Sequence, residues 1–147
     1  VHTRFIELAG DVNNSMPSWT LKKIAKALNK NQKSINGSKV LILGISYKRN
    51  IDDMRESPAV LLMEKLRDEG AVLAYSDPHV PVFPKMREHR FDLKSITLNP
   101  DIMRSFDCVI LTTDHDKFDY DMIFANAKLL VDTRGKYRTS APHLVKA

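Results

Sequence analysis

Short apolar runs alternate with helical patterns through most of this chain, and this alternation constrains the fold more than any other feature. Runs rich in Val, Ile and Leu predict strands at 39–44, 72–76, 107–113 and 128–132, with a further short strand at 91–98. Helices are predicted near 58–69, from Pro100 to Phe106, and at 120–126. Strands that are apolar along their whole length are typical of a parallel sheet covered on both faces. We therefore predict an α/β fold with helices on both faces of a parallel sheet.

The first 35 residues are predicted to be helical and to precede the sheet. One apolar stripe runs from Phe5 to Val12, and a second comprises Leu21, Ile24, Ala25 and Leu28 at helical spacing. Pro17 suits the first turn of the second helix. Residues 34–38, which include Gly37, form a short polar hinge. We place the domain boundary there, with 1–35 as a helical region and 36–147 as the sheet domain.

Length and composition exclude several classes of protein. The chain has 147 residues, of which 43% are hydrophobic and 28% charged, as expected of one globular domain with an appendage. Its apolar runs are shorter than the roughly 20 residues of a membrane span, and we expect no membrane partner. Because the sequence begins at Val1 without a signal-peptide pattern, we expect it to be an internal piece of a longer protein. The single cysteine, Cys108, fits a cytoplasmic protein and is interpreted as a buried thiol rather than a nucleophile.

Positive charge is concentrated in the first third of the chain. The formal net charge is +5, and no acidic residue occurs between Val12 and Ile51. A basic stretch of this kind can bind nucleic acid. Its lysines, however, lie on the polar face of a predicted helix with few aromatic residues among them. We therefore favour a solvated helix face.

The turn from Gly44 to Pro58 joins the first strand to a helix, where open α/β sheets bind anions. It lacks a dinucleotide fingerprint, because Ser46 and Arg49 occupy positions where that motif needs glycine. Lys48, Arg49 and Arg55 could reach a phosphate with their side chains. Ser57 is a candidate N-cap for the following helix. From spacing alone, phosphate binding and an ordinary solvated loop both remain open.

Parallel topology predicts which polar residues meet at one edge of the sheet. The carboxyl ends of the strands should carry Tyr47, Lys48, Asp77, Asp114, His115 and Arg134. Asp77 could bind a ribose, but it precedes a proline and is interpreted as a turn residue. Residues 114–116 are interpreted as a surface loop rather than a metal or acid–base cluster, and no metal site is predicted. Trp19 is predicted to be a packing residue.

The Gly44–Pro58 segment resembles the C-terminal motif of the UDP-glucose/GDP-mannose dehydrogenase family. The resemblance continues through 75–78, 108–115 and 131–134. Residues 3–10 and 14–17 are similar to the connecting-helix region of the branch that oxidises UDP-N-acetylhexosamines. The matching residues extend over nearly the whole chain.

This resemblance implies a Rossmann-like sheet that binds a nucleotide sugar. Such enzymes oxidise the C6 hydroxyl of a UDP-sugar to a carboxylate, in polysaccharide biosynthesis, and reduce two NAD⁺. The chain resembles their third domain and the end of the second. By this resemblance Tyr47, Lys48 and Arg134 contact the UDP-sugar, and Arg55 reaches NAD across the domain cleft. The parent would be a homodimer or a higher homo-oligomer in the cytoplasm.

The chain departs from the family pattern in its catalytic elements. The family's catalytic cysteine lies in a Gly-rich loop that this sequence lacks, and Cys108 does not occupy that motif. The NAD-binding domain is also missing, so we predict that the chain has no catalytic residue and no dehydrogenase activity on its own. Two alternatives stay open: a nucleotide- or anion-binding module that works alone, and, less favoured, a nucleic-acid-binding domain that uses the lysines of 22–39. The identity of the sugar also stays open.

Overall fold

A computed structural model describes residues 17–46, 49, 57–84 and 91–147. These residues form a sheet of five parallel strands with helices on both faces, which confirms the predicted fold class. The strands are β1 (Lys39–Leu43), β2 (Val72–Ser76), β3 (Cys108–Leu111), β4 (Leu130–Asp132) and β5 (Leu144–Lys146), in the order β2-β1-β3-β4-β5. The helices are α1 (17–30), α2 (Pro58–Asp68), α3 (Pro100–Ser105) and α4 (Tyr120–Asn126). The predicted helix at 5–12 lies outside the described residues.

Alternation along the strands fills a core on each face of the sheet. In β1, Val40 and Ile42 belong to a buried cluster with residues of α1 and α2. Leu41 and Leu43 belong to a second cluster with residues of α3 and α4. Since successive side chains of a strand point to opposite faces, both faces of β1 are buried, which explains the continuous apolar run in its sequence.

The ends of α2 and α3 show one side-chain cap, one glycine and one predicted cap that does not form. Asn99 caps α3, because its Oδ1 accepts a hydrogen bond from the N–H of Ile102 at 2.8 Å. Gly70 follows α2 with a φ of +91°, which suits glycine. Ser57 stands at the N-cap position of α2 without capping it. Its hydroxyl donates instead to the carbonyl oxygen of Ile45 at 2.6 Å, so it ties the helix to the turn after β1.

Three predictions about packing and strands are wrong. Trp19 is 55% exposed, with Lys23 Nζ 5.0 Å from its ring centroid, because α1 turns the face of Ile24, Ala27 and Leu28 to the core. That face also leaves Ala25 exposed. The strand predicted at 91–98 is reduced to isolated bridges at Lys94 and Ser95. Conversely, β5 was not predicted, since Leu144 and Val145 are only partly buried, Lys146 is exposed, and so short a strand carries little apolar signal.

No helix in the described part of the chain has the length and apolar character that crossing a bilayer requires.

Candidate functional site

The turn after β1 is held against the turn after β3 at the carboxyl edge of the sheet. Gly44 has a φ of +80°, and a Cβ atom on it would lie 2.3 Å from the carbonyl oxygen of Thr113. Only glycine fits such a position. The Thr113 hydroxyl donates to the carbonyl oxygen of Ser46 at 2.7 Å. The two turns therefore meet without space between their backbones.

Asp77, the first residue after β2, is the buried centre of this edge. Its Oδ2 accepts hydrogen bonds from the N–H groups of Ile45 at 2.8 Å and Ser46 at 3.3 Å. Its Oδ1 accepts from the N–H of His79 at 2.8 Å, which is the turn role predicted for it. Burial raises the pKa of Asp77, but hydrogen bonds from His115 and from backbone N–H groups outweigh burial and hold this pKa below its ordinary value. Asp77 is thus an ionised acceptor that fixes the turn after β1.

His115 is fully buried and completes this network. Its Nε2 lies 2.9 Å from Asp77 Oδ2 and 3.1 Å from Ser46 Oγ. The same ring nitrogen makes both contacts, whereas in a Ser–His–Asp triad one ring nitrogen contacts the serine and the other contacts the acid. The arrangement therefore joins three turns rather than activating Ser46 as a nucleophile.

The prediction that residues 114–116 form a surface loop is wrong for Asp114 and His115, which are both buried. The loop folds inward because the Tyr120 hydroxyl donates to the carbonyl oxygen of His115 at 2.6 Å. Only Asp116 is exposed. Within the described ranges, no group of three His, Cys, Asp or Glu side chains could hold a metal ion.

Asp114 brings two arginines together. Its Oδ2 accepts a hydrogen bond from Arg49 Nη2 at 2.7 Å. Its Oδ1 lies 3.3 Å from Arg134 Nε, an ion pair without hydrogen-bond alignment. Burial raises the pKa of Asp114, but the bond from Arg49 and the charge of Arg134 outweigh burial and lower it. We call these three residues the arginine cluster.

Arg134 is placed by the end of β4. The buried carboxylate of Asp132 accepts from the N–H of Arg134 and from the N–H of Tyr137, both at 2.9 Å. The Thr133 hydroxyl donates to the carbonyl oxygen of Leu111 at 2.7 Å, which ties this turn to β3. Sequence reasoning missed Asp132. An acid that ends an apolar strand directly before Thr-Arg-Gly was the available signal.

The predicted convergence at the carboxyl edge is confirmed for the described residues Asp77, Asp114, His115 and Arg134. The structure adds Arg49, which meets Arg134 through Asp114. Tyr47, Lys48 and Arg55 lie outside the described residues. Cys108 is buried in β3, as predicted, and burial raises the pKa of its thiol.

Two of the cavities lined by described residues lie at opposite edges of the sheet. A cavity of about 520 Å³ lies beside the end of β2, between Asp77, Thr97 and Lys117. A second, of about 430 Å³, lies at the opposite, amino edge, beside the starts of β4 and β5. We call the second one the lysine groove, because Lys23, Lys26, Lys30 and Lys128 line it.

The parallel sheet, and the turns that meet at its carboxyl edge, define a Rossmann-like domain. Residues 41–139 match the model of the UDP-glucose/GDP-mannose dehydrogenase family, UDP binding domain. The chain belongs to the UDP-glucose/GDP-mannose dehydrogenase family, as its motifs predicted.

Curated relatives and solved structures agree with this membership. The chain is 34% identical over 117 residues to UDP-N-acetyl-D-mannosamine dehydrogenase of Methanococcus maripaludis. This alignment covers 80% of this chain and 25% of that protein. It is 31% identical over 139 residues to NDP-N-acetyl-D-galactosaminuronic acid dehydrogenase of Ralstonia solanacearum, covering 91% of this chain and 30% of that protein. The structure of UDP-D-ManNAc dehydrogenase from Pyrococcus horikoshii matches the fold with a TM-score of 0.74 at 20% identity, over 96% of this chain and 32% of that one. The chain thus spans about a quarter to a third of the length of these proteins.

Proposed function

We propose that this chain is the nucleotide-sugar-binding part of an NAD-dependent nucleotide-sugar 6-dehydrogenase. The whole enzyme would oxidise the C6 hydroxyl of a UDP-sugar, in this proposal a UDP-N-acetylhexosamine, to a uronate. The observation that supports this most is the convergence of Arg134 and Arg49 beside the turn after β1, in a domain that matches the family's UDP-binding model. The relatives named above, which are N-acetylmannosamine and N-acetylgalactosaminuronic acid dehydrogenases, favour an N-acetylhexosamine.

In this proposal the chain contributes to catalysis by positioning its substrate. Lys48 offsets the charge of the diphosphate, Tyr47 contacts the same region, and Arg134 orients the nucleotide sugar. Arg134 is suited to this role because its backbone is fixed by Asp132 while its guanidinium remains partly exposed. A planar guanidinium can donate two parallel hydrogen bonds to a phosphate.

NAD would be the hydride acceptor, but the described start of the turn, residues 44–46, does not fit the pyrophosphate of a dinucleotide. Close approach of a pyrophosphate to the backbone needs further glycines after the first. Here Ser46, two residues after Gly44, stands at the position of the second glycine, and its N–H and carbonyl oxygen already have partners in Asp77 and Thr113. We therefore assign NAD binding mainly to another part of the whole protein, with Arg55 as the residue of this chain that faces the cofactor.

We further propose that the whole protein is a cytoplasmic homodimer or higher homo-oligomer. Its support is the resemblance of the chain to the UDP-glucose/GDP-mannose dehydrogenase family.

Calorimetric titration of the chain with UDP tests the binding proposal. We expect saturable binding by the wild-type chain and about tenfold weaker binding by Lys48→Ala and by Arg134→Ala, as for the loss of one charge-assisted contact. Lys146→Ala, which removes the same charge from β5, serves as the control. Equal affinity in the wild-type chain and Lys48→Ala would contradict the role of Lys48. Absence of binding at millimolar UDP would contradict the proposal for this chain.

A further inference from the structure

The arginine cluster contains two guanidinium groups on opposite oxygens of one carboxylate. The Asp114 side chain is 6% exposed, whereas the side chains of Arg49 and Arg134 are 53% and 41% exposed. The shared anion is therefore buried, and both cations extend from it toward solvent.

Each guanidinium has more donors than Asp114 uses. Arginine carries five N–H donors in a planar fork. Arg49 approaches Asp114 with Nη2, and Arg134 approaches with Nε. Two arginines and one carboxylate also leave a net charge of +1 in the cluster. The cluster can thus accept an anion without separating from Asp114.

Asp114 also reduces the conformational freedom that the arginines would lose on binding a ligand. A free arginine side chain has many rotamers, and fixing them on a ligand opposes binding. Asp114 itself is fixed between Thr113 and His115, whose contacts join the turns after β1, β2 and β3. The cluster therefore holds two side chains from separate turns in one place before any ligand arrives.

We propose that Arg49 is a second diphosphate-binding residue and that Asp114 is a positioning residue that holds Arg49 and Arg134 together as a two-guanidinium anion site. This inference rests on the proposed function and extends it to two residues that the family resemblance did not assign. Asp114 acts through the arginines and makes no contact with the ligand.

A mutant cycle on UDP affinity, with inorganic pyrophosphate as a second probe, tests this assignment. We expect Arg49→Ala to weaken binding about tenfold, the value of one charge-assisted contact. Asp114→Asn, which keeps the shape of the side chain, should weaken binding about fivefold, because the arginines lose their fixed partner. In an Arg49→Ala/Arg134→Ala background, Asp114→Asn should produce no further loss. A purely structural role of Asp114 would give the same loss in both backgrounds.

The control is Arg138→Ala, which removes the same charge from an exposed residue four positions beyond Arg134. It should change affinity by about twofold or less. An Arg49→Ala affinity equal to that of Arg138→Ala would overturn the role of Arg49. Unchanged or tighter binding by Asp114→Asn would overturn the role of Asp114, since the carboxylate would then only compete with the ligand.

Two further measurements keep the outcomes distinct. Thermal unfolding of each variant shows whether it folds; should Asp114→Asn fail to fold, coupling between Arg49→Ala and Arg134→Ala decides whether the two arginines act as one site. A wild-type chain that binds neither UDP nor pyrophosphate overturns the proposed function and this inference with it. If the wild-type chain binds but the affinity losses caused by Arg49→Ala and Arg134→Ala simply add, this inference alone is overturned.

Discussion

Both edges of the sheet carry positive charge, but the two edges differ in what holds that charge. At the carboxyl edge, the guanidinium groups of Arg49 and Arg134 meet the buried carboxylate of Asp114, beside a turn fixed by Asp77. At the amino edge, four lysines line the lysine groove, and none of the described residues lining it is acidic. Charge density along the sequence therefore marks the amino edge, whereas fixed geometry marks the carboxyl edge. We expect geometry to decide where an anion binds.

The largest expected effect concerns two glycines with nearly the same backbone angle. Gly44 at the carboxyl edge and Gly37 at the amino edge have φ values of +80° and +82°. A Cβ on Gly44 would overlap the Thr113 carbonyl oxygen, whereas a Cβ on Gly37 would have nothing within 4 Å. Gly44→Ala should therefore cost more than about 3 kcal/mol of unfolding free energy, and Gly37→Ala about 1 kcal/mol.

Urea unfolding of both glycine variants measures this difference. Equal losses of unfolding free energy would mean that the two turns are packed alike. The carboxyl edge would then be no more rigidly built than the amino edge.

The next effect compares two acids. Asp77 is a buried acceptor of several hydrogen bonds. Asp107 lies at the amino edge, and its side chain, which is 19% exposed, accepts from Lys33 and from the N–H of Lys39. Asp77→Asn should cost about 2–3 kcal/mol, because buried donors lose their charged acceptor. Asp107→Asn should cost about 1 kcal/mol or less. Chemical denaturation of the two isosteric variants provides the measurement, and a larger loss for Asp107→Asn would contradict the assignment of Asp77 as the central residue.

Stability should also depend on pH through the carboxyl edge. The pKa of Asp77 lies below its ordinary value of 3.8 in the folded chain, so its ionised form favours folding. This contribution is fully present above the unfolded pKa and is lost as pH falls through the lower, folded pKa. The melting temperature of the wild-type chain should therefore decline below about pH 4, and Asp77→Asn should show a shallower decline. Parallel slopes in a pH series of thermal melts would contradict this.

The fold was predictable from the sequence where burial of apolar side chains decides the local structure. Helix α4 has the predicted bounds, and strands β3 and β4, which are buried along their whole length, lie within the longer predicted runs. By contrast, β5 depends on pairing with β4 rather than on its own residues. Trp19 was misjudged because a helical stripe does not reveal which side of a helix meets the sheet.

The location of the candidate site was more predictable than its bonds. Parallel topology alone places Asp77, Asp114, His115 and Arg134 at one edge. Their burial, and the meeting of Arg49 with Arg134, depend on how the chain after β3 folds inward under Tyr120. Hydrogen bonds between turns that are distant in sequence leave no local pattern, so a single sequence could not reveal them.

The smallest expected effect concerns the lysine groove. Lys26→Ala/Lys30→Ala should leave UDP affinity within about twofold, because these lysines lie at the opposite edge and act only through screened charge. Titration with duplex DNA tests the nucleic-acid alternative in the same variant. Under this alternative, the wild-type chain binds DNA with an affinity that falls with salt, at about −0.9 log unit per phosphate contact. If that binding disappears in the lysine variant, the groove is a nucleic-acid-binding site. The comparison between the edges would then be reversed, since lysines lining a groove would bind an anion better than guanidinium groups held by a buried carboxylate.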